Sequence, residues 1–513
     1  MDENAHWVER IAERIVAEKK QPYSINSGMT TSGPVHLGTL CEFLYPSAIR
    51  DFLVKKGSKA DFTFQADIMD AFDGVPASIA AHSEELTPHL GKPLCRVPDP
   101  LKCHKSFGEH FLDDALKAMK KFGIEAKILR ADEMYASGKY DKHALLFFER
   151  LEEVKKAVYE SSLRQELPKW WSPIMPVCKQ CGKIATTRVT AFDPAEGGKY
   201  DYACDRIVKY TKGCGHSGSA KLKDHEYKIT WRLDWPARQD FLGVSAEGGG
   251  VDQFTRGGSW DTAVEVHRRI FKKEPPVGYK FGFVLLKGKK YSKSKGDGMG
   301  VTELVELIPP EVLKYALLRP DVQENKDIDT TGDSMLRLCE DYLVSSKIVI
   351  ENAEISRADR KRSVAFSLAT PHGLKFTVFS DILLYYQLYR DWKKTGEATD
   401  AKSAEYLKPY VETWIAKGFM PEEYAFAYEP RKIAGMKELM KEFAEKLQPS
   451  MKALDIHNLV FDLAREKGEK PEKFFEVLYE TLINKPKGPK MGRLVEAVGV
   501  LKVKNKLLEL CSA

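Results

Sequence analysis

Residues 32–39 read SGPVHLGT, and they combine small residues with one histidine where a predicted strand turns into a predicted helix. At such a turn the backbone N–H groups and the positive end of the helix dipole favour a phosphate. The glycines let a ligand approach the backbone closely, and the histidine can hydrogen-bond a phosphoryl oxygen as charge builds up. Taken alone, the segment fits a structural glycine-rich turn better, because short patterns of this kind recur by chance.

Residues 287–296 read KGKKYSKSKG, so five lysines and two serines are combined with glycines. This composition predicts a surface loop that closes on a polyphosphate, because lysines neutralise its charge and glycines act as hinges. The alternative is an ordinary solvated basic loop. Each segment alone has an ordinary structural interpretation. Considered together, the two segments indicate phosphate as the ligand.

A third group consists of cysteines: Cys178 and Cys181 are separated by two residues, and Cys204, Cys214 and His216 follow. Two closely spaced thiolates followed by a distant pair indicate a zinc ribbon, whose closed tetrahedral site is structural and not catalytic. Because nine residues separate Cys204 from Cys214, either the second knuckle carries an inserted loop or His216 replaces Cys204 as the fourth ligand. The alternative without structural Zn²⁺ is a set of four reduced, buried thiols.

Cys103, His104 and His110 form a further group of potential ligands. Cysteine and histidine bind zinc, but the same side chains also hydrogen-bond one another in packed polar clusters. We interpret this group as a polar cluster.

Hydrophobic periodicity predicts the elements that must position these residues. Residues 6–19 are spaced as an amphipathic helix, and a short strand is predicted at residues 23–26. A helix over residues 36–56 follows the glycine-rich loop, and residues 60–70 alternate as a second strand. Strand, loop, helix and strand form a βαβ unit, which predicts a parallel sheet of the Rossmann type.

The rest of the chain changes character along its length. Residues 97–165 have a helical pattern, residues 176–222 hold the cysteines among β-like pieces, and residues 229–250 return to the sheet. Beyond residue 333 nearly everything is predicted helical. We therefore expect an α/β Rossmann-type parallel-sheet catalytic domain with a zinc-ribbon-bearing insertion, followed by an all-α domain. The predicted boundaries are 1–92 and 229–332 for the two halves of the Rossmann domain, 93–228 for the insertion with its ribbon at 176–222, and 333–513 for the helical domain.

Composition bounds the class of protein. A length of 513 residues predicts two or three domains, and 43% hydrophobic with 11% aromatic residues exclude a disordered or fibrous chain. Nothing is long and apolar enough to predict a membrane span, and a net charge of +6 permits a nucleic-acid partner without requiring one. Acidic residues near the N-terminus argue against a signal or transit peptide, so we expect a cytoplasmic protein, with no obligate protein partner evident.

The two phosphate-binding segments together resemble the signatures of the class I aminoacyl-tRNA synthetases. Residues 36–39 (HLGT) match the His-Ile-Gly-His element at its first and third positions. Residues 290–294 (KYSKS) match the Lys-Met-Ser-Lys-Ser element at four of five positions. Further stretches are similar specifically to the class I lysyl-tRNA synthetases, namely residues 27–30, 97–100, 103–111, 170–171, 231–236 and 258–262.

This resemblance implies an enzyme that activates lysine with ATP and Mg²⁺ to lysyl-adenylate and transfers it to the 3′-terminal adenosine of tRNA(Lys). Members of the family need bound tRNA before they activate the amino acid, and their helical domain grips the anticodon. The implied catalytic residues are His36, Gly38, Lys290 and Lys293. The implied ATP-binding residues are Ser32, Gly33, His36, Gly38, Asp252, Gln253, Ser292 and Ser294.

A lysine pocket can also be argued physically, because a buried ammonium needs a partnered carboxylate to offset its desolvation. Glu42 lies one to two helical turns past His36, at the position that the resemblance assigns to the substrate ε-ammonium. Without the resemblance, Glu42 would be interpreted as an exposed acidic residue on a helix. The other lysine-binding residues that the resemblance implies are Gly28, Thr30, Trp231 and Trp260. Asp67 and Asp70 also suit the cleft, but the acidic run of relatives is thinner here, which leaves their role open.

Three positions depart from the family pattern, namely Thr39, Gln253 and Tyr291. Glutamine at 253 keeps hydrogen-bonding capacity where the family has histidine, but it cannot change charge with pH. These departures keep two alternatives open. One is a class I synthetase for another amino acid or a tRNA-independent nucleotidylyltransferase, and the other is a synthetase-like paralogue that binds RNA without aminoacylating it.

Overall fold

The structure is a computed structural model, and it describes residues 4–163, 166–290, 300–351, 355–370 and 378–512. The chain divides into two compact units. The first consists of Met1–Leu304, Leu313–Ile328 and Ser356–Ala369, and the second of Val305–Val312, Asp329–Ile355 and Thr370–Ala513. None of the helices among the described residues is long and apolar enough to cross a membrane.

The strands of the described residues, in chain order, are β1 (Tyr23–Met29), β2 (Ala60–Ala66), β3 (Lys127–Arg130), β4 (Ile174–Pro176), β5 (Arg188–Asp193), β6 (Lys199–Ala203), β7 (Ile207–Val208), β8 (Thr211–Lys212), β9 (Ser217–Lys221), β10 (Tyr227–Ile229), β11 (Ala246–Gly250), β12 (Val277–Phe281), β13 (Val284–Leu286), β14 (Lys289–Lys290) and β15 (Lys326–Ile328). The helices are α1 (Trp7–Glu18), α2 (Leu37–Lys55), α3 (Ser83–Leu86), α4 (Phe107–Lys121), α5 (Ala131–Ala136), α6 (Asp141–Glu149), α7 (Leu151–Ser161), α8 (Trp231–Leu242), α9 (Val251–Phe254), α10 (Ser259–Val266), α11 (Val301–Leu307), α12 (Pro310–Leu318), α13 (Gly332–Glu351), α14 (Arg360–Ala369), α15 (Phe379–Tyr389), α16 (Trp392–Ala398), α17 (Ala401–Lys417), α18 (Lys437–Lys446), α19 (Ala453–Glu466), α20 (Pro471–Ile483), α21 (Met491–Val498) and α22 (Val500–Ser512).

A five-stranded sheet forms the centre of the first unit, in the order β12-β11-β1-β2-β3, and all of its pairs are parallel. Helix α2 packs on this sheet, where Phe43 meets Phe64 of β2 edge-on with ring centroids 5.8 Å apart. The carboxyl ends of parallel strands lie at the same edge of the sheet, so the last residues of β1 and β11 lie next to each other at that edge. The predicted Rossmann-type parallel sheet is confirmed.

One strand of the sheet differs from the prediction. The sequence places residues 127–130 within a helical stretch, but they form β3 and pair with β2 from Thr63 to Ala66. The strand is four residues long and carries lysine and arginine at its ends, so it lacks the alternation by which a strand is recognised.

The cysteine-bearing segment forms small antiparallel sheets of its own. Strands β5, β6 and β9 make one sheet, and β4 pairs with β10. The nine residues between Cys204 and Cys214 contain the hairpin of β7 and β8. The second knuckle therefore carries an inserted loop, which is one of the two alternatives that the cysteine spacing leaves open.

The second unit is helical from α13 onward, as the sequence predicts. Its helices bury apolar stripes, and Trp414 of α17 is fully buried with its indole N–H donating to the carbonyl of Leu307 at 2.8 Å. Phe443 of α18 meets Phe474 of α20 edge-on, with ring centroids 6.0 Å apart. An all-α region thus follows the parallel sheet.

Candidate functional site

A cavity of about 270 Å³ lies outside the carboxyl ends of β1 and β11, beside the start of α2. Open α/β sheets bind their ligands at this edge. The predicted residues that line the cavity are Gly28, Thr30, His36, Gly38, Glu42, Trp231 and Gln253. Its other lining residues are Met29, Thr39, Asp67, Trp235, Arg238, Glu247, Gly248 and Gly249.

His36 is the N-cap of α2, where its Nδ1 accepts hydrogen bonds from the backbone N–H groups of Gly38 at 3.1 Å and Thr39 at 3.3 Å. An Nδ1 that accepts leaves the imidazole proton on Nε2. A side chain at Gly38 would come within 2.9 Å of the histidine ring, so the glycine keeps this arrangement possible. The cap therefore presents an N–H donor and a helix N-terminus, which together suit an anion.

Glu42 occupies the next turn of α2, and its carboxylate accepts a hydrogen bond from Ser27 Oγ at 3.0 Å. Burial raises the pKa of Glu42 to about 8; the hydrogen bond from Ser27 opposes this effect and the negative charge of Glu247 adds to it. Among the described residues, no lysine, arginine or histidine forms an ion pair with this carboxylate. Glu42 is thus an unpaired acid in a cavity that can admit a cation.

Arg238, the one arginine among the described residues that line the cavity, is already paired. Arg238 donates to both oxygens of Asp67, at 2.9 and 3.1 Å, and approaches Glu247 at 3.4 Å. Glu247 is held further by Asn26 at 2.8 Å and Gln239 at 2.7 Å. Two carboxylates thus share one guanidinium, and Arg238 forms no ion pair with Glu42 among the described residues, although its positive charge lowers the pKa of Glu42 and opposes the effect of burial.

Thr30 is fixed by a second ionic network. Its hydroxyl donates to Asp70 at 2.6 Å, and Asp70 also pairs with the buried ammonium of Lys228 at 3.2 Å. Lys228 in turn pairs with Asp234 at 2.7 Å. Asp67 therefore faces the cavity, whereas Asp70 positions Thr30 from behind.

The three tryptophans near the cavity differ in whether they line it. Trp231 lines the cavity and stacks on Trp235, with ring centroids 5.4 Å apart. Trp260 is not among the residues that line the cavity: its ring meets Trp235 edge-on, with centroids 5.6 Å apart, and stacks on Phe254 at 4.7 Å, so its lysine-binding role stays a prediction. Gly278 makes room there, since a Cβ at that position would approach the Trp260 ring to 2.2 Å.

The remaining predicted nucleotide-binding residues lie at several places. Gln253 is in the short helix α9 that follows β11 and lines the cavity, whereas its neighbour Asp252 does not. Ser32 and Gly33 lie between β1 and α2, outside the lining set. The backbone of Lys290 pairs with Leu285 in β13. Ser292, Lys293 and Ser294, together with Tyr291, lie outside the described residues.

The four predicted cysteine ligands converge. The sulfur atoms of Cys178, Cys181, Cys204 and Cys214 all lie within 4.8 Å of one another, and His216 is not part of this group. Cys178 is 3.7 Å from Cys214, and Cys181 is 3.7 Å from Cys204. A tetrahedral zinc with Zn–S distances of about 2.3 Å separates its sulfurs by about 3.8 Å. The arrangement therefore has the dimensions of a four-cysteine metal site.

A second cluster of four ligand types also converges, and it adds Asp99 to the predicted Cys103, His104 and His110. The Cys103 sulfur lies 3.1 Å from His104 Nδ1, 3.2 Å from His110 Nδ1 and 3.2 Å from the Asp99 carboxylate. All four donor atoms lie within 4.8 Å of one another. This geometry admits a metal as well as the polar cluster that the sequence favours.

Sequence reasoning missed several residues behind the cavity wall. The sequence analysis does not identify Arg238, Glu247 or Trp235 as residues of the site. A signal exists for Glu247, because a glutamate in a strand rich in glycine, as in β11, indicates a buried charge with a partner. Tyr279 was missed as well: its ring lies against Gly248, and a Cβ there would come within 2.2 Å of it. Burial, together with the charges of Glu42 and Glu247, raises the pKa of its hydroxyl, and a contact with the backbone of Gly248 opposes this effect.

Comparisons with known sequences find one family model and several relatives that match this chain. The sequence model of a family described as tRNA synthetases class I (K) matches residues 5–371. A lysine–tRNA ligase of Archaeoglobus fulgidus is 32% identical over 98% of this chain and 99% of the relative. A lysine–tRNA ligase of Methanosarcina barkeri is 31% identical over 96% of this chain and 95% of the relative.

Proposed function

The chain belongs to the class I (K) family of tRNA synthetases, and on that premise we propose that it ligates lysine to tRNA(Lys) at the expense of ATP. The observation that carries the proposal is Glu42, a carboxylate without a cation in a cavity at the carboxyl edge of the sheet. A lysine side chain supplies the missing ammonium. The alternatives of another amino acid or an inactive paralogue are not favoured, because the relatives that align over nearly the whole chain are named for lysine.

In the first step the lysine carboxylate attacks the α-phosphate of ATP, which forms lysyl-adenylate and releases pyrophosphate. No protein group needs to form a covalent bond, so the residues act by positioning and by stabilising charge. His36 donates from Nε2 to the phosphate, and the first N–H groups of α2 add their dipole. Mg²⁺ bound to the ATP phosphates would neutralise part of their charge.

The lysine is held from both ends. Glu42 binds the ε-ammonium, and Trp231 covers the aliphatic stem. Gly28 and Thr30 lie at the α-amino end, and Gly28 also lets β1 pack closely on β2, because a Cβ would come within 2.9 Å of the Gln65 carbonyl. The paired charges of Asp67 and Arg238 fix the shape of the pocket without offering a free cation.

We assign ATP binding to residues next to the lysine pocket. Asp252 and Gln253 bind the ribose and adenine, Ser32 and Gly33 with Gly38 line the phosphate path, and Lys290 and Lys293 neutralise the departing pyrophosphate together with Ser292 and Ser294. In the second step the 2′-OH of the terminal adenosine of the tRNA attacks the activated carbonyl, which breaks the acyl–phosphate bond, forms lysyl-tRNA and releases AMP. The reduced thiols of this enzyme and its tRNA substrate both fit the cytoplasm as its compartment.

The test is the amino-acid-dependent exchange of labelled pyrophosphate into ATP. It is measured for each standard amino acid, with and without tRNA. We expect exchange with lysine, and only when tRNA is present. Exchange with a different amino acid would overturn the pocket assignment around Glu42. Absence of exchange with any amino acid, while tRNA still binds, would overturn the enzymatic function.

We assign structural Zn²⁺ to the four cysteines, because their sulfur separations match a tetrahedral site. We extend the assignment to the Asp99 cluster, whose thiol and two imidazole nitrogens approach within 3.2 Å. The first ion would cross-link the Cys178–Cys181 knuckle to Cys204 and Cys214, the second would hold the start of α4 to the loop before it, and both would thereby stabilise the insertion.

Metal analysis of the purified protein is expected to give two zinc ions per chain. Cys178→Ser and Cys103→Ser should each remove one ion and lower the melting temperature by several degrees, because each ion contributes folding free energy. Cys511→Ser is the matched control, since Cys511 belongs to neither cluster, and it should remove none. If the protein contains one zinc ion per chain, and Cys103→Ser does not change that number, the Asp99 cluster is a hydrogen-bonded polar cluster without a metal.

A further inference from the structure

A lysine from the insertion is buried behind the lysine pocket. Lys228 lies in β10, the strand that closes the insertion, and it is only 1% exposed. Strand β10 pairs antiparallel with β4, where Lys228 is opposite Met175, and β4 leads directly into the cysteine-bearing segment. A buried ammonium is costly unless carboxylates compensate it. The charge of Lys228 therefore has to be balanced within the protein.

Two carboxylates on different elements balance this ammonium. Lys228 Nζ lies 2.7 Å from Asp234 in α8 and 3.2 Å from Asp70, which follows β2. Burial opposes the charged form of Lys228, but the negative charges around it, of which that of Asp234 is the strongest, raise its pKa. Asp234 also accepts a hydrogen bond from the hydroxyl of Tyr135 at 2.5 Å. The ammonium thus ties the last strand of the insertion to α8 and to the segment after β2.

Asp70 carries this link to the pocket through Thr30. The two oxygens of Asp70 have different partners, because Oδ1 faces Lys228 at 3.2 Å and Oδ2 accepts from the Thr30 hydroxyl at 2.6 Å. A hydroxyl has one proton and two lone pairs. Since the proton of Thr30 is committed to Asp70, its oxygen can only accept in the cavity that Thr30 lines. An accepting oxygen suits an ammonium group, which has only donors.

The position of this oxygen distinguishes lysine from molecules of the same length that lack an α-amino group. Glu42 binds the ε-ammonium of both kinds of molecule, so it does not separate them. Without the charge of Lys228, the carboxylates of Asp70 and Asp234 would repel each other. Asp70 would move, and the released Thr30 hydroxyl could turn its proton toward the cavity, where it would repel an ammonium.

We propose that Lys228 is a positioning residue through which the insertion sets the recognition of the substrate's α-amino group. Lys228 holds Asp70, Asp70 orients the hydroxyl of Thr30, and the hydroxyl oxygen accepts from the α-ammonium. The inference rests on the proposed function, which places lysine in this cavity. It goes further because it assigns the selectivity for an α-amino acid to Lys228, which is not among the described residues that line the cavity.

The test compares Lys228→Met with the wild type in lysine-dependent pyrophosphate exchange with total tRNA, using two lysine analogues as inhibitors. ε-Aminocaproic acid is lysine without its α-amino group, and cadaverine is lysine without its carboxyl group. We expect the KM for lysine and the inhibition constant of cadaverine to rise about ten- to a hundredfold, as for the loss of a hydrogen bond to a charged group. The inhibition constant of ε-aminocaproic acid and the KM for ATP should change less than about twofold.

Two further variants separate positioning from stability. Lys228→Met combined with Asp234→Asn removes one charge of each sign, and it should show the same selective effect even if the single variant does not fold. Lys326→Met is the matched control, because Lys326 is 3% exposed and its ammonium donates to the backbone carbonyls of residues 321, 322 and 324. It should lower the melting temperature and leave all four constants near their wild-type values.

A double-mutant cycle with Thr30→Val tests whether the effect passes through the hydroxyl. Thr30→Val should itself raise the KM for lysine, and adding Lys228→Met should raise it little further, because the contact is already lost. Additive effects in this cycle would overturn the inference. Equal increases for lysine and ε-aminocaproic acid, or no increase for either, would overturn it as well, because Lys228 would then be only a structural cation.

The same assay separates this inference from the proposed function. A wild-type protein that shows no exchange with lysine contradicts the proposed function, whatever the Lys228 variants do. A wild-type protein that exchanges normally with lysine, while its Lys228 variants lose affinity for lysine and ε-aminocaproic acid by the same factor, contradicts only the inference about Lys228.

Discussion

Glu42→Gln is expected to lower lysine-dependent pyrophosphate exchange roughly a hundred- to a thousandfold, as kcat/KM, with the fold unchanged. Removing one partner from a buried ion pair costs about 3–5 kcal/mol, because the other charge is left without compensation. The glutamine still accepts the hydrogen bond from Ser27 Oγ that the glutamate accepts at 3.0 Å. The variant therefore removes the charge and little else.

The nearby ions cannot replace the lost carboxylate. Asp67 and Glu247 are engaged with Arg238, and moving Asp67 toward an ammonium would break its two hydrogen bonds with the buried guanidinium. The effect should therefore appear chiefly in the KM for lysine. ATP binding, measured separately, should change little.

The pH dependence of the wild-type enzyme gives the same prediction a second readout. Burial raises the pKa of Glu42 to about 8, so in the empty pocket the carboxyl is protonated at pH 6–7. An ammonium binds the ionised form, which means that lysine binding releases a proton. The KM for lysine should therefore fall as pH rises from 6 toward 8, by up to about tenfold per unit, and then level off.

Asp51→Asn is the matched control, because Asp51 is an exposed acid near the other end of α2, paired with Arg50 at 2.5 Å. It should keep both the activity and the pH profile of the wild type. In Glu42→Gln the slope of KM with pH should disappear. A variant at position 42 that retains lysine specificity, or a wild-type KM that is flat between pH 6 and 8, would refute the assignment of Glu42.

Local patterns in the sequence predict the parts of the site that depend on local structure. His36 begins α2 because a histidine at an N-cap can accept from the N–H groups two and three residues ahead, and the position of Glu42 follows from the helical repeat. The two-residue spacing between Cys178 and Cys181 likewise indicates a metal knuckle. In each case the residues that matter are neighbours in the chain.

Partners that are distant in the chain could not be predicted in this way. Arg238 meets Asp67 across 171 residues, and Tyr279 reaches the back of Gly248 from another strand; no local spacing contains either contact. The packing of Trp260 on Trp235 and Phe254 is equally absent from the sequence, because the motif that contains Trp260 does not say which rings it meets. The strand β3 was missed because four residues are too few to establish a period.

His36→Asn is expected to lower kcat for lysyl-adenylate formation about a hundred- to a thousandfold, the loss typical of removing one donor aimed at developing charge. Asparagine is a strong N-cap whose side-chain oxygen can accept from Gly38 and Thr39 as Nδ1 does now at 3.1 and 3.3 Å. What the variant loses is the N–H on the far side of the ring. His36→Ala loses the cap as well, so it should match His36→Asn in activity and be less stable by about 1 kcal/mol, measured by denaturant unfolding. If His36→Asn were as active as the wild type while His36→Ala were not, the histidine would serve only as a cap, and the stabilisation of the phosphate would have to come from the helix N-terminus and the lysine loop.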